Sequence, residues 1–156
     1  MDDVTTIYFY SALESPYGCF SNFSPHGFKI GGVYHKTSEH YFQAMKFKHS
    51  PEDMQAVIRT STPKLAASIG RDRKRPLRRD WESVKDDIMR QAVLAKFDTH
   101  ADIRAILLDT GDAPIVENAP RDYYWGCGAD GTGKNMLGKI LVQTRAILRE
   151  KYAPKD

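Results

Sequence analysis

Strand-forming sequence is scarce in this chain and does not alternate with its helical runs, which removes most architectures at once. β-Branched and aromatic residues dominate 5–10 (TTIYFY), which reads as a strand. A strand, a turn at Gly31-Gly32 and a second strand are expected over 28–34 (FKIGGVY). One more short strand is expected at 114–117, and 11–25 is a loop rich in Ser, Pro and Gly. The remaining pattern is helical. Thr37-Ser38 can cap a helix reaching about Lys48. Pro51, tolerated in a first turn, opens a second that reaches Arg59. A third covers 63–69 and is stopped by Gly70, and Asp80 caps a long fourth that ends near Phe97. Ile103, Ile106 and Leu107 mark a helix over 100–108. The last spans 135–152, with Leu137, Ile140, Leu141, Thr144, Ile147 and Leu148 on one face. Such an order argues against a doubly wound parallel sheet. The expected fold class is α+β: a mainly helical single domain over 1–156 with a small, partly antiparallel sheet.

The length of 156 residues suits one domain with a core of its own. With 41% hydrophobic and 28% charged residues, the chain is neither disordered nor membrane-spanning. The acidic start, Met1-Asp2-Asp3-Val4, lacks the features of a signal peptide, and the end, Ala153-Pro154-Lys155-Asp156, carries no lipidation signal. Cys19 and Cys127 lie far apart without metal-site spacing and read as thiols of a reducing cytoplasm. A net charge of +3 excludes a strongly basic nucleic-acid binder. The charge is uneven, however. Arg71, Arg73, Lys74, Arg75, Arg78 and Arg79 are opposed within their run only by Asp72. The run is either a solvated loop or an electropositive rim that attracts phosphates.

Three segments could carry chemistry. On the first helix Glu39, Gln43 and Lys46 share one side, beside Phe42 and the apolar arc of Tyr41 and Met45. By spacing alone this is a solvated polar row as readily as a site. On the long helix Lys85 projects among Trp81, Ile88, Met89 and Ala92. Its stem can snorkel to water, the commoner fate, or its amine can face a cleft. The third segment, 122–138 (DYYWGCGADGTGKNMLG), places Gly126, Gly128, Gly131 and Gly133 ahead of a helix. There backbone N–H groups can approach an anion. The stretch 128–135 approximates a nucleotide phosphate loop but ends in Asn135, not Ser or Thr, and no βαβ unit surrounds it. Trp125 beside the loop suits a base or ribose face. His40 is as readily structural as catalytic. In 20–23 (FSNF), Asn22 either holds a turn or reads a polar group.

Taken in order, four of these stretches resemble the NADAR family. They are Phe20-Ser21-Asn22-Phe23; Thr37-Ser38-Glu39-His40-Tyr41-Phe42-Gln43-Ala44; Trp81-Glu82-Ser83-Val84-Lys85 with Met89; and Trp125-Gly126 leading to Asp130-Gly131 and Gly133-Lys134-Asn135-Met136-Leu137-Gly138. The resemblance runs from about Ile7 to Leu148. It implies hydrolysis of N-ribosyl bonds, with two associated substrate classes. The one expected first is ADP-ribose on guanine in DNA or RNA, where the enzyme reverses a modification, sometimes as the antitoxin of an ADP-ribosyltransferase toxin. The other is a phosphorylated ribosylamino-pyrimidine of riboflavin biosynthesis.

Cleavage of a C1′–N bond places positive charge on the ribose, which a carboxylate can stabilise or use to activate water. Glu39 is the expected carboxylate, with Asp130 as second choice. Lys85 would form a Schiff base with C1′ or orient substrate oxygens. Trp81 and Trp125 would wall the pocket, and Asn135 with Gly126, Gly131, Gly133, Leu137 and Gly138 would hold phosphate and ribose. Ser21, Asn22, Phe23, Gln43 and Asp122 complete the expected substrate contacts. The expected ligand is ADP-ribose or another phosphorylated ribosyl compound, with no cofactor, metal or membrane partner. A non-catalytic ADP-ribose or NAD reader is the rival from another class; it would need the loop and Trp125 but not both Glu39 and Lys85.

Overall fold

The computed structural model describes residues 5–154. The chain ends, on which the readings of no leader and no lipidation signal rest, lie in part outside those residues. The elements in chain order are β1 (Ile7–Phe9), a 3-10 turn at Tyr17–Phe20, β2 (Phe28–Ile30), β3 (Val33–His35), α1 (Ser38–Met45), α2 (Pro51–Ile58), α3 (Pro63–Gly70), α4 (Trp81–Thr99), α5 (Ala101–Asp109), β4 (Ile115–Glu117) and α6 (Met136–Lys151). The class is α+β, mainly helical, with short strands paired two by two. No helix among the described residues is long and apolar enough to cross a membrane.

The chain divides into two compact units, residues 1–21 with 97–156 and residues 22–96. In the first, β1 pairs in parallel with β4, Ile7 opposite Ile115 and Phe9 opposite Glu117. Phe20 anchors its core, with its ring edge-on to Phe9 at 5.8 Å and tilted on Phe97 at 5.9 Å. α6 buries Leu137, Ile140, Leu141, Thr144 and Leu148. The expected face is shifted at one position. Ile147 is 52% exposed and Arg145 is buried in its stead, its guanidinium donating to the Ala113 carbonyl at 2.8 Å and Thr110 Oγ1 at 2.9 Å. A long cation that finds buried carbonyls can occupy a core-facing position that an apolar pattern assigns to isoleucine.

In the second unit β2 and β3 form an antiparallel hairpin whose two turn residues, Gly31 and Gly32, have φ of 58° and 79°. Both central positions of such a turn require positive φ, which glycine adopts without penalty. α1, α2 and α3 enclose Ala44, Phe47, Val57 and Ala66. Thr37 caps α1, its Oγ1 accepting the His40 N–H at 3.0 Å. α1 ends at Met45, earlier than expected, because Lys46 and Phe47 tighten onto the carbonyls of Gln43 and Ala44. Gly70 closes α3 as its last residue, with Arg71 as the cap. Asp80 precedes α4, but its carboxylate turns back to the Arg78 guanidinium at 2.6 and 3.0 Å.

Candidate active site

In the second unit, α1 is held from its first turn. The Glu39 N–H donates to the Asn22 carbonyl at 3.1 Å, and Ser38 Oγ donates to Asn22 Oδ1 at 2.8 Å. Asn22 Nδ2 in turn reaches Met89 Sδ at 3.5 Å. Asn22 thus braces the start of α1 against α4. One turn along α1, Phe42 packs edge-on against Trp81, with ring centroids 5.0 Å apart. Trp81, Lys85 and Met89 lie four residues apart on one face of α4. Lys85 therefore lies on α4 between Trp81, which meets Phe42 of α1, and Met89, which meets Asn22.

Glu39 is buried, at 9% exposure, and one of its oxygens accepts from Gln43 Nε2 at 2.9 Å. This bond places the amide with its nitrogen toward Glu39 and its oxygen away. Gln43 is 4% exposed, and its Oε1 has no hydrogen-bond partner among the described residues. A buried acceptor without a donor is costly and marks a place where one can be supplied. Gly70 makes room for this amide, since a Cβ there would lie 1.8 Å from Gln43 Oε1.

Lys46 completes the row. Its ammonium lies 5.8 and 5.7 Å from the ring centroids of Phe42 and Trp81 and donates to the Gly70 carbonyl at 3.3 Å. Burial lowers its pKa, Glu39 partly offsets this, and Arg71 lowers it further. The row is thus a buried carboxylate and amide followed by a half-buried ammonium that lies over Phe42 and Trp81. Spacing on α1 brings Glu39, Gln43 and Lys46 together in the sequence itself. Nothing local announces that Gly70 and Arg71 join them, because that depends on how α3 packs on α1.

Lys85 has its side chain only 16% exposed and reaches Glu82 at 2.8 Å, so its stem is covered while its head takes an exposed carboxylate. Phe23 is 41% exposed and Ser21 is buried. His40 is fully buried between Thr37 Oγ1 at 2.8 Å and the Thr60 carbonyl at 3.1 Å. It ties α1 to the end of α2 and is structural. Among the described residues, no three His, Cys, Asp or Glu side chains converge as metal ligands would.

The glycine-rich segment belongs to the first unit and is bonded to itself. Asp122 Oδ1 accepts the N–H groups of Tyr124 and Trp125 at 3.0 and 2.8 Å. The N–H groups of Asn135, Met136 and Leu137 donate to the carbonyls of Gly126, Tyr124 and Trp125 at 2.9, 2.9 and 3.0 Å. The backbone donors expected to approach an anion at the start of α6 are therefore already used. The Asn135 side chain is used as well, accepting from the Glu117 N–H and donating to the Ile115 carbonyl, both at 2.9 Å. Four glycines answer to close packing: a Cβ would lie 2.1 Å from the Ile115 carbonyl at Gly138, 2.7 Å from the Cys127 backbone at Gly133, 2.8 Å from Ala119 Cβ at Gly126 and 2.4 Å from the Tyr123 ring at Gly128. Gly126 is buried and Gly131 exposed. Trp125 is half-buried and stands edge-on to Tyr124 at 4.8 Å. Asp130 is exposed, and hydrogen bonds from the Thr132 hydroxyl and N–H, at 2.7 and 3.1 Å, lower its pKa. It is an ionised turn carboxylate already supplied with donors.

The chain is 54% identical to N-glycosidase Npun_R5314 of Nostoc punctiforme over 146 residues, 92% of this chain and 93% of that protein. It is 49% identical to N-glycosidase YbiA of Escherichia coli, covering 92% of this chain and 89% of that one. The NMR structure of the Escherichia coli protein superposes with a TM-score of 0.89, 46% identity, and coverage of 100% and 92%. A maize chloroplastic protein, riboflavin biosynthesis protein PYRR, is 37% identical over 92% of this chain but only 25% of its own length. The sequence model of the NADAR domain matches residues 8–149, and with relatives this similar over nearly their whole length the chain belongs to the NADAR family.

Proposed function

We propose that the Glu39 cluster on α1 is the catalytic centre of an N-glycosidase that cleaves the bond between C1′ of a phosphorylated ribose and a base or amine. The enzyme class is that of the close relatives, hydrolases acting on N-glycosyl bonds. The observation that carries the site is the buried Glu39–Gln43 pair with its unanswered amide oxygen. A ribose hydroxyl is a donor of the kind Gln43 Oε1 lacks, and bonding there would hold the sugar beside the carboxylate. Glu39 then stabilises the developing positive charge on the ribose or takes a proton from the attacking water. Lys85, an ammonium paired with Glu82, is suited to orienting substrate oxygens. The rival reading of a non-catalytic ADP-ribose binder gives no reason to bury a carboxylate braced in this way.

The substrate class proposed first is a phosphorylated ribosylamino-pyrimidine of riboflavin biosynthesis, on the strength of the maize relative's name. Removal of ADP-ribose from guanine in nucleic acid is the second reading, favoured by the cations of 71–79, and would place the protein opposite an ADP-ribosyltransferase. A cytoplasmic location fits the buried thiols Cys19 and Cys127, which are not joined to each other. Incubation with each substrate and chromatography of the released base separates the two. Glu39→Gln should lower the rate on the true substrate by about 10²–10⁴-fold with unchanged circular dichroism. Retention of near wild-type hydrolysis would remove Glu39 from the chemistry. Borohydride trapping of an adduct on Lys85 would replace the orienting role with a Schiff base.

A further inference from the structure

The cations of 71–79 separate into two groups once their partners are traced. Arg78 pairs with Asp80 and donates to the Met45 carbonyl at 3.3 Å, at the C-terminal end of α1. Arg75 pairs with Asp53 at 2.7 Å and with Asp72 at 3.5 Å. These two are structural. Arg71, Arg73, Lys74 and Arg79 have no carboxylate within ion-pair distance among the described residues.

Arg71 and Arg73 border one cavity of about 340 Å³ together with Lys46 and Trp81. Arg79 faces a different one. The Lys46 ammonium has three donors, and the hydrogen bond it makes, to the Gly70 carbonyl, is long at 3.3 Å. Asp72 is the acid on the cavity wall, but its carboxylate is committed to the Lys74 N–H at 3.0 Å and to Arg75. Arg75 lines the cavity as well but is spent on Asp53 and Asp72, so three cations without a paired carboxylate face it over an aromatic wall. A compact ligand carrying more than one negative charge and several acceptor oxygens answers that set, which is the chemistry of a phosphate ester.

The cavity adjoins the carboxylate through an unbroken series of contacts. Glu39 bonds Gln43, Gln43 fills the space over Gly70, and the Gly70 carbonyl meets Lys46 on the cavity wall. A ribose carries its phosphate on C5′, across the ring from the C1′ that reacts, so a phosphate subsite must lie beside the carboxylate and not on it. We infer that this cavity holds the phosphate of the substrate's ribose, with Arg71 and Arg73 as its specificity-determining contacts. The inference rests on the N-glycosidase reading above. A nucleic-acid strand would call for a continuous track of free cations, whereas Arg79 is turned to a separate cavity.

The test is calorimetric titration of ribose 5-phosphate, ribose and a single-stranded oligonucleotide into wild type, Arg71→Ala/Arg73→Ala and Arg79→Ala. Steady-state kinetics on the N-ribosyl substrates accompanies it. Ribose 5-phosphate should bind wild type and ribose should not. The double variant should lose about tenfold or more per arginine, with KM rising and kcat nearly kept. Arg79→Ala, which removes one charge from the same run, should stay within about twofold, against the tenfold or more per arginine at 71 and 73. Equal losses in the double variant and Arg79→Ala would reduce the site to a diffuse field and overturn the proposal. So would oligonucleotide binding that depends on the pair while ribose 5-phosphate fails to bind wild type. Ribose 5-phosphate binding that depends on the pair, without hydrolysis of any N-ribosyl substrate, would sink the enzymatic reading and leave the subsite standing. Hydrolysis with an unchanged KM in the double variant would do the reverse.

Discussion

Gln43 can turn its amide toward Glu39 only because residue 70 has no side chain. The bond between Gln43 and Glu39 is 2.9 Å, and a Cβ on Gly70 would fall 1.8 Å from the other end of the same amide. The amide is buried, so it cannot swing into solvent to yield. Gly70→Ala should therefore displace Gln43 and loosen the carboxylate it positions. The expected loss in kcat is about 10–100-fold, as a misplacement of about 1 Å can produce, with little change in far-UV circular dichroism. Activity equal to wild type would show that Gln43 does not position Glu39. The loss should persist in Gly70→Ala/Gln43→Ser, which relieves the clash but also removes the amide that bonds Glu39. The sequence shows the Glu39–Gln43–Lys46 row by spacing alone. It does not show that Gly70 is a fourth member, because a glycine after a helical run reads first as a helix end.

At the scale of elements, what was legible is what is locally determined. Thr37 announces the start of α1 because its hydroxyl caps a donor three residues on, and the Gly31-Gly32 pair announces the hairpin because both positions need positive φ. The end of α1 was not legible, since it depends on Arg78, which arrives from the loop before α4 to meet the carbonyls of Met45 and Lys46. The segment before α6 was legible in place but not in its hydrogen bonding. Its N–H groups are met by carbonyls of its own preceding residues, a pairing that composition does not reveal. Thr37→Ala follows from the legible part. It removes the α1 cap and the Nδ1 partner of buried His40 together. The expected destabilisation is about 1–2 kcal/mol, read as a shift in urea midpoint. Thr37→Ser, which keeps the oxygen, should recover most of it, and an equal loss in both variants would refute the capping account.

For the whole molecule, the sequence gives the class and the proportions of helix and strand but not the assembly of one unit from the two ends of the chain. The parallel pairing of Ile7 with Ile115 has no local signal in either strand. Stability against acid is a property at this scale and has an identifiable source in residues 22–96. His35 is 2% exposed, packed edge-on to Tyr41 at 4.9 Å, and its Nδ1 has no hydrogen-bond partner among the described residues. Burial first, and the neighbouring His40 second, lower its pKa from 6.5 to about 4. His40 is lowered as well, again chiefly by burial. A folded pKa below the unfolded one means that the unfolded chain takes up the proton first as pH falls. The stabilisation is therefore complete above pH 6.5 and is lost progressively down to about pH 4, below which both states are protonated. From His35 alone the loss amounts to about 3 kcal/mol at most. The urea midpoint should fall across that window, and His35→Phe, which keeps an aromatic ring but cannot titrate, should fall less. The midpoint of the variant minus that of wild type should rise between pH 6.5 and about 4 and level off below. Parallel curves for the two would mean that His35 is protonated in the folded state and that the acid sensitivity arises elsewhere.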